Sequence, residues 1–257
     1  MTLVAMASAK GSPGVTTTAQ ALAAAWPSEA VIADLDPVGG DVGWRSRLPD
    51  GSPLDPDRGL LSLGAAVRRG AEETLLADHL QEAATGPVLT GVRTPDQVAG
   101  LGGAWAQLPL VLRAHDQDVI ADCGRLMPSS PALPVLQQAD VVCFVVRPDL
   151  EGTAHLRERL LALTDTLDIG RPGGTPVAVA LATSYRSTSV VGEMQQLLDS
   201  EGIGARVVGV VADDPKGAAV LASRRSGRTT LLRRSAVSLA EALRQMAGAA
   251  STVGGTR

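Results

Sequence analysis

A segment near the start of the sequence has the layout of a loop that holds a phosphate group. Its residues are Lys10-Gly11-Ser12-Pro13-Gly14-Val15-Thr16-Thr17-Thr18. Glycines let the backbone of such a loop approach an anion, and Thr16 is placed to offer its hydroxyl to Mg²⁺. The usual pattern is G-x-x-x-x-G-K-[ST], and here Ala9 replaces the first glycine and Val15 the lysine. An ordinary turn that joins a strand to a helix is the simpler alternative.

Two later segments place aspartates where a metal bound to phosphate would need them. They are Val31-Ile32-Ala33-Asp34-Leu35-Asp36 and Val119-Ile120-Ala121-Asp122-Cys123-Gly124. Each is an apolar run, typical of a buried strand, that leads to a carboxylate able to hold Mg²⁺ through a water molecule. The backbone N–H of Gly124 would face a terminal phosphate. Aspartate is also a common turn former, so either segment alone fits a plain turn as well.

The order of the apolar runs predicts the framework that positions these residues. Strand candidates alternate with helix candidates, which indicates an α/β fold with a doubly wound, mostly parallel sheet of about seven strands and helices on both faces. Ligands bind such sheets at the carboxyl ends of the strands. We expect strands at 3–7, 31–36, 87–92, 119–122, 141–146, 177–182 and 207–211. We expect helices at 16–26, 59–69, 72–82, 95–114, 151–163, 189–200, 215–223 and 235–247.

Composition narrows the class of protein. The 257 residues are 45% hydrophobic and 2% aromatic, so the core must consist mainly of alanine, valine and leucine. We expect one domain over 1–247 and a disordered tail over 248–257. The net charge of −4 gives no whole-molecule reason to bind nucleic acid. The histidines lack the spacing of metal ligands, so we expect no metal site made of protein side chains alone.

The motifs, taken in this order, resemble those of the ParA/MinD family of deviant Walker ATPases, whose loop reads K-G-G-x-G-K-[ST]-[ST]. Ser12 replaces one glycine of that loop and Val15 its second lysine, whereas the remaining motif positions match. Asp34-Leu35-Asp36-Pro37 is similar to the family's D-x-D-P segment, and Asp122-Cys123-Gly124 to its Walker B site. Gly209-Val210-Val211-Ala212-Asp213-Asp214-Pro215 is similar to the loop that packs on the nucleotide base. The resemblance covers most of residues 1–246 and implies a P-loop NTPase fold of the SIMIBI class.

The pattern is nearest to the branch that localises pilus assembly, the TadZ/CpaE-like proteins. The loops of that branch also tend to lose the second lysine. The family often carries an asparagine that contacts adenine after its sixth strand. Leu181-Ala182-Thr183-Ser184 occupies that place here, so the base specificity stays open.

The resemblance also implies roles for individual residues, with ATP and Mg²⁺ as the ligands. Lys10 would reach across a nucleotide-sandwich homodimer to the phosphates held by the second copy. Thr16 and Asp122 would position Mg²⁺, the latter through water, and Thr17 would contact the α-phosphate. Asp36, or in second place Asp34, would orient the attacking water. The other nucleotide-binding residues would be Gly11, Ser12, Gly14 and Val15 in the loop, and Gly124, Asp213 and Pro215 outside it.

The valine at position 15 bears on the rate of hydrolysis. Losing the lysine removes a charge-assisted contact of roughly 1.5–3 kcal/mol. In the transition state of phosphoryl transfer a single cation contributes about 10³-fold or more. We therefore expect binding to survive on backbone amides and Mg²⁺, with slow or absent turnover that Val15→Lys would raise. The sequence leaves open whether the chain hydrolyses ATP at all.

Three functions fit these motifs. The first is an ATP-dependent dimerising switch in intracellular positioning or assembly, of the pilus or secretion type. The second is a chromosome or plasmid partition ATPase that binds nonspecific DNA. The third is a scaffold that binds no nucleotide, which the joint presence of Lys10, Thr16, Asp36 and Asp122 disfavours. Arginines available for DNA are Arg224, Arg225, Arg228, Arg233 and Arg234, although a solvated face is the simpler interpretation.

The sequence also bears on where the protein acts. No apolar run approaches the ~20 residues that cross a bilayer. The expected last helix lacks bulky aromatic residues and a basic amphipathic stretch, so we expect no direct membrane anchor. We therefore expect a cytoplasmic protein whose partner is either membrane-bound machinery, which would recruit it to the inner face of the membrane, or a DNA-binding partition protein.

Overall fold

The computed structural model describes residues 1–11, 13–70, 75–187, 189–222 and 229–254. The strands of these residues form one eight-stranded sheet in the order β3-β4-β2-β5-β1-β6-β7-β8. Within it β3 and β4 pair antiparallel and the other neighbours pair parallel. The strands are β1 Leu3–Ser8, β2 Ala30–Asp34, β3 Gln81–Ala83, β4 Gly86–Leu89, β5 Asp118–Arg125, β6 Val141–Val146, β7 Val177–Thr183 and β8 Ala205–Ala212. The predicted doubly wound, mostly parallel sheet is confirmed, with one strand more than expected.

Helices connect the parallel strands and cover both faces of the sheet. They are α1 Val15–Ala25, α2 Val42–Arg45, α3 Leu60–Arg68, α4 Pro95–Leu101, α5 Ala104–Arg113, α6 Leu133–Gln137, α7 Leu150–Leu167, α8 Ser189–Ser200, α9 Pro215–Ala222 and α10 Leu231–Gly254. A short 3-10 helix spans Leu76–His79. None of the helices in the described part of the chain combines the length and the hydropathy needed to cross a bilayer.

The central strand β1 shows how the two faces of the sheet are filled. Its alternate residues Leu3, Ala5 and Ala7 join a core that α3, α5, α6, α7 and α8 cover, whereas Val4 and Met6 join a second core under α1 and α10. All six residues of β1 are buried. A strand buried on both faces is apolar along its whole length, which explains why the sequence shows no alternation there.

The region predicted as a helix over 72–82 folds differently. Where it is described it forms the 3-10 helix and then β3, the edge strand that pairs with β4. The buried side chain of Gln81 donates to the carbonyls of Asp55 and Arg58, and it accepts from the N–H of Asp55. These bonds to a loop distant in sequence hold the segment extended, and no local pattern could indicate them.

Two other helix predictions are corrected. The single helix expected over 95–114 is divided into α4 and α5, and Gly102, with φ +49°, stands at the break between them. The last helix was expected over 235–247 but extends from Leu231 to Gly254, so residues 248–254 are helical where a disordered tail was predicted. Residues 255–257 lie outside the described part. The short helices α2 and α6 were not predicted.

Candidate functional site

The predicted phosphate loop joins β1 to α1 at the carboxyl edge of the sheet. Gly11 and Gly14 have φ angles of +72° and +96°, a backbone conformation that favours glycine. No heavy atom lies within 4 Å of where a Cβ would stand on either residue, so the space beside the loop is open. The carbonyl of Gly14 accepts from both the N–H and the hydroxyl of Thr18, each at 2.8 Å, which fixes the first turn of α1.

The N-terminus of α1 is free to receive an anion. Among the described residues no side chain caps it, and its first turn contains no acidic residue. The first backbone N–H groups of a helix have no partner within the helix and carry a partial positive charge. This helix end, the left-handed glycines and the open space together form an anion site of the kind that phosphate loops use. Ser12, which was predicted to belong to the loop, lies outside the described residues.

Val15 does not present its side chain to this site. Its residue is only 6% exposed and packs with Val4, Met6 and Ala19 in the core under α1. Its backbone N–H is therefore the part of Val15 that can serve an anion. A lysine here would have to bring its ammonium group out of that packing.

Asp122 carries the clearest sign of a missing ligand. Its residue is completely buried in β5; Oδ1 accepts the N–H of Gly124 at 3.0 Å, and Oδ2 has no hydrogen-bond partner among the described residues. Burial raises the pKa of Asp122 to about 6, and hydrogen bonding from the Thr16 hydroxyl opposes this shift most strongly, although no close hydrogen bond joins that hydroxyl to Oδ2. A buried oxygen without a partner is costly, so it points to an ion or water that belongs beside Thr16.

Asp34 lies directly opposite Asp122 in the register of β2 and β5. It is also completely buried, and its two oxygens accept the N–H groups of Val42 at 3.0 Å and Asp36 at 3.4 Å. Burial, and then the charge of Asp122, raises the pKa of Asp34 well above its usual range. Asp34 therefore organises the chain that follows β2, and both of its oxygens are already engaged.

Asp36 is the carboxylate of this group that solvent can reach. It is partly exposed, and its Oδ1 accepts the N–H of Val38 at 2.8 Å. Burial raises the pKa of Asp36, while that hydrogen bond opposes the shift. Because Asp36 is partly exposed and both oxygens of Asp34 are engaged, Asp36 is the better placed of the two to contact a water molecule.

Glycines make room for the carboxylates. Gly124 has φ +58°, and a Cβ on it would overlap the Asp36 carboxylate. Cβ atoms on Gly40 and Gly91 would overlap Asp34 in the same way. The N–H of Gly124 donates to Oδ1 of Asp122 at 3.0 Å, and its contact with a terminal phosphate stays a prediction. Its role in the structure is to allow close approach of Asp36.

These residues fit a magnesium ion bound together with a nucleotide. Among the described residues no group of three or more His, Cys, Asp and Glu side chains is arranged to hold a metal by itself. Mg²⁺ commonly takes one or two protein oxygens and completes its shell with water and substrate phosphates. The unpartnered oxygen of Asp122, the Thr16 hydroxyl and the open loop supply that combination.

Lys10 lies apart from the carboxylates of its own chain. Its side chain is exposed, and Nζ lies 2.8 Å from Nε2 of His155 on α7. An ammonium group can only donate, so Nε2 must be the acceptor and His155 must be neutral in this contact. A cleft of about 300 Å³ opens here, and Lys10, Gly11, Arg147 and Glu151 are among its lining residues.

A second cleft, of about 230 Å³, places the late loop beside the phosphate loop. Its lining residues are Pro13, Gly14, Thr17, Thr18, Arg147, Ala182, Val211, Ala212, Asp213, Asp214, Pro215, Ala218 and Leu232. Residues predicted to hold a nucleotide base, Asp213 and Pro215, are thereby brought together with Gly14 and Thr17. The lining contains no asparagine, so the structure offers no substitute for the one that the sequence lacks after Ala182.

Arg45 is a site residue that the sequence reasoning missed. Its Nη1 donates to the Thr17 hydroxyl at 3.0 Å, and its Nη2 pairs with Asp41 at 2.6 Å. The Asp41–Arg45 spacing of four residues was the available signal, since it is typical of an ion pair on one helix turn. Of the predicted arginine cluster, Arg233 and Arg234 are exposed on α10, whereas Arg224, Arg225 and Arg228 lie outside the described residues.

Comparisons with known proteins identify the fold. A scan against protein-family models gives no match, and a search of curated proteins gives none either. A ParA family ATPase from Chlorobium tepidum TLS matches with a TM-score of 0.73 and 16% identity, over 93% of this chain and 97% of that chain. The cell division ATPase MinD of Pyrococcus furiosus matches with a TM-score of 0.69 and 17% identity, over 95% and 99%.

A third solved structure carries ligands. Cobyrinic acid a,c-diamide synthase from Mycobacterium smegmatis, with a bound ATP analogue and magnesium, matches with a TM-score of 0.66 and 20% identity, over 95% of this chain and 94% of that chain. Identities this low establish likeness of fold. The chain has the P-loop NTPase fold of the MinD and ParA ATPases.

Proposed function

We propose that the protein belongs to the MinD/ParA ATPases, binds ATP with Mg²⁺, and acts as a switch that dimerises when ATP is bound. The observation that carries this proposal is the buried Oδ2 of Asp122, which lacks a hydrogen-bond partner among the described residues, in a carboxyl group that lies beside Thr16 at the phosphate loop. The same fold holds an ATP analogue and magnesium in the Mycobacterium smegmatis synthase.

Each part of the site has a role in this proposal. The backbone N–H groups at Gly11, Gly14 and Val15 hold the phosphates, and the hydroxyl of Thr17 keeps its proton to donate because its oxygen accepts from Arg45. Bound Mg²⁺ supplies charge neutralisation of the phosphate oxygens, with Thr16 and Asp122 as its protein anchors. The cleft that contains Asp213 and Pro215 receives the base.

Slow or absent hydrolysis follows from the position of Val15. Its buried side chain cannot stabilise charge that develops on a transferred phosphoryl group. Asp36 remains as the residue that orients the attacking water. The ATP-bound state is consequently long-lived, which suits a switch better than a fast enzyme.

Exposed apolar side chains support dimerisation through this face. Val38, Trp44, Met127 and Leu150 are 61%, 60%, 43% and 82% exposed. They follow β2, β5 and β6, which are parallel, so they border the carboxyl edge where the nucleotide would bind. A two-fold dimer buries one such surface against its own copy, and Lys10 would then face the phosphates of the second protomer.

The cellular role we propose is intracellular positioning or assembly of the pilus or secretion type. The protein would act in the cytoplasm, with its ATP-bound dimer recruited by a protein partner at the inner face of the membrane. This assignment rests on the nearness of the sequence motifs to the TadZ/CpaE-like branch. The partner is the component that the dimer surface must recognise, and a pull-down with the ATP-bound protein would capture it.

The experiment that tests the switch is sedimentation with and without MgATP, run beside a phosphate-release assay. We expect monomers without nucleotide, dimers with MgATP, and turnover well below the roughly 1 s⁻¹ at the low end of ordinary enzymes. Trp44 is exposed at this face, whereas Trp26 and Trp105 are buried, so tryptophan fluorescence reports the change. Equal dimerisation with and without ATP contradicts the switch, and absence of any MgATP binding favours the scaffold.

Partition through nonspecific DNA is the second candidate, because Arg233 and Arg234 are exposed on α10. The net charge of −4 opposes it, and we expect no binding to arbitrary duplex DNA at about 150 mM salt. The measurement is fluorescence anisotropy of a labelled duplex with and without MgATP. Salt-dependent binding that requires MgATP and is lost in the Arg233→Ala/Arg234→Ala double variant would replace positioning by partition.

A further inference from the structure

The phosphate loop lacks a positive side chain of its own at position 15. Nucleoside triphosphates carry several negative charges, and the carboxylates of Asp36 and Asp122 both lie beside Gly124 at the carboxyl edge that carries the loop. Backbone N–H groups and one Mg²⁺ must offset both sets of charges. Some other cation of the same chain would improve this balance considerably.

Arg45 is a cation that contacts the phosphate-loop segment. Its guanidinium donates to the hydroxyl of Thr17, within the loop-to-helix segment itself. The side chain is 38% exposed, so the guanidinium lies at the surface of the site rather than in the core.

Two other cations are less well placed. Lys10 contacts His155 on α7. Arg147 lines both clefts beside Pro13, but none of the hydrogen bonds among the described residues joins its guanidinium to the loop. Of the three cations, Arg45 is the one whose guanidinium donates to a threonine of the loop-to-helix segment within the described residues.

We propose that Arg45 binds the phosphate groups of the nucleotide and supplies the positive charge that Val15 cannot. This role rests on the proposed ATP binding. It makes Arg45 the residue that allows ATP to bind effectively without the loop lysine. A guanidinium presents several N–H groups in one plane, so it can keep its bond to Thr17 while it donates to a phosphate oxygen.

Asp41 competes for the same guanidinium. It pairs with Arg45 at 2.6 Å, with its own side chain 54% exposed. A phosphate group would have to share or replace that partner. Removing the charge of Asp41 therefore has the opposite effect on nucleotide binding from removing the charge of Arg45, whereas a purely structural ion pair would make both changes harmful.

The test is calorimetric titration of the full chain with MgATP. We expect Arg45→Met to weaken binding about ten- to a hundredfold, which is the range for a hydrogen bond to a charged group. Arg45→Lys should fall between Arg45→Met and the natural protein, because it keeps the charge without the planar geometry. Asp41→Asn should tighten binding about two- to fivefold, and this gain should disappear when Arg45→Met is also present.

Arg171→Met is the matched control. Arg171 is an exposed arginine with ion pairs to Asp165 and Asp168, but it precedes β7 at the opposite edge of the sheet. Its substitution should leave MgATP binding unchanged and shift thermal unfolding of the nucleotide-free protein as little as Arg45→Met does. If the natural protein binds MgATP and Arg45→Met binds it equally well, the role of Arg45 is wrong while the proposed function stands. A loss of binding in Asp41→Asn has the same meaning. Natural protein that binds no MgATP overturns the proposed function.

Discussion

Asp122→Asn is expected to weaken MgATP binding about ten- to a hundredfold while it raises the stability of the nucleotide-free protein. The loss follows because asparagine cannot hold Mg²⁺ through a water molecule as a carboxylate does. The gain follows because the natural protein buries a carboxyl group whose Oδ2 has no partner among the described residues. One substitution thus moves function and stability in opposite directions, as expected of a residue kept for its ligand.

The stability change has a defined pH dependence. The pKa of Asp122 rises from its ordinary 3.8 to about 6 on folding, so the folded protein binds this proton more tightly than the unfolded chain. Its contribution is therefore most favourable below pH 4 and is lost as the pH rises through about 6. Asp122→Asn should flatten this part of the stability profile. Asp34, whose pKa burial also raises, retains a share of the dependence.

Denaturant unfolding between pH 4 and 7, with calorimetric titration of MgATP at pH 7, measures both effects. Asp118→Asn is the control, because Asp118 lies at the opposite end of the same strand and accepts hydrogen bonds from Thr2 and Trp26. That change should lower stability and leave binding intact. A stabilised Asp122→Asn that still binds MgATP with natural affinity would show that Asp122 does not serve Mg²⁺.

Lys10→Ala is expected to lower the ATP-dependent dimerisation constant by roughly 10²- to 10⁴-fold. A charge-assisted hydrogen bond contributes about 1.5–3 kcal/mol, and a two-fold dimer makes each contact twice. In the monomer Lys10 contacts His155 instead, so it must leave that histidine before it can reach a second copy. His155→Ala should accordingly strengthen the dimer. The two variants should therefore change the dimerisation constant in opposite directions.

Sedimentation with MgATP over a range of protein concentrations measures these constants. Lys216→Ala is the matched control, because Lys216 is the other lysine of the sequence and is exposed on α9. It should dimerise like the natural protein. If Lys10→Ala forms ATP-dependent dimers of natural strength, the contact across the dimer is wrong. If His155→Ala weakens them, the Lys10–His155 contact helps the dimer rather than competing with it.

The sequence predicted that Asp34 and Asp122 lie close together, but it did not predict the contacts around them. Asp34 and Asp122 end apolar runs, and a parallel sheet necessarily brings such ends to one edge, so their proximity followed from pattern alone. The direction of the Val15 side chain did not, because it depends on the packing of α1 over β1. The contacts of Lys10 with His155 and of Arg45 with Thr17 join residues far apart in sequence.

The fold also contains elements that the sequence predicted and elements that it did not. The long apolar runs became strands where expected, since burial on both faces leaves a strong signal. The edge strand β3 gave none, because the hydrogen bonds of Gln81 to a distant loop hold it in place. Likewise, the sequence predicted one helix where the structure has α4 and α5, which Gly102 separates.

The position of β1 in the middle of the sheet has a consequence for synthesis. It pairs with β5 on one side and with β6 on the other. The backbone N–H groups of Thr2 and Leu3 donate to the side chains of Asp118 and Asp140, which are 116 and 137 residues away in the sequence. Such distant pairing forms late in folding. The phosphate loop is translated early, yet it acquires its shape only after β6 has left the ribosome. Under the proposed function, a nascent chain would therefore bind no nucleotide before its central strands have assembled.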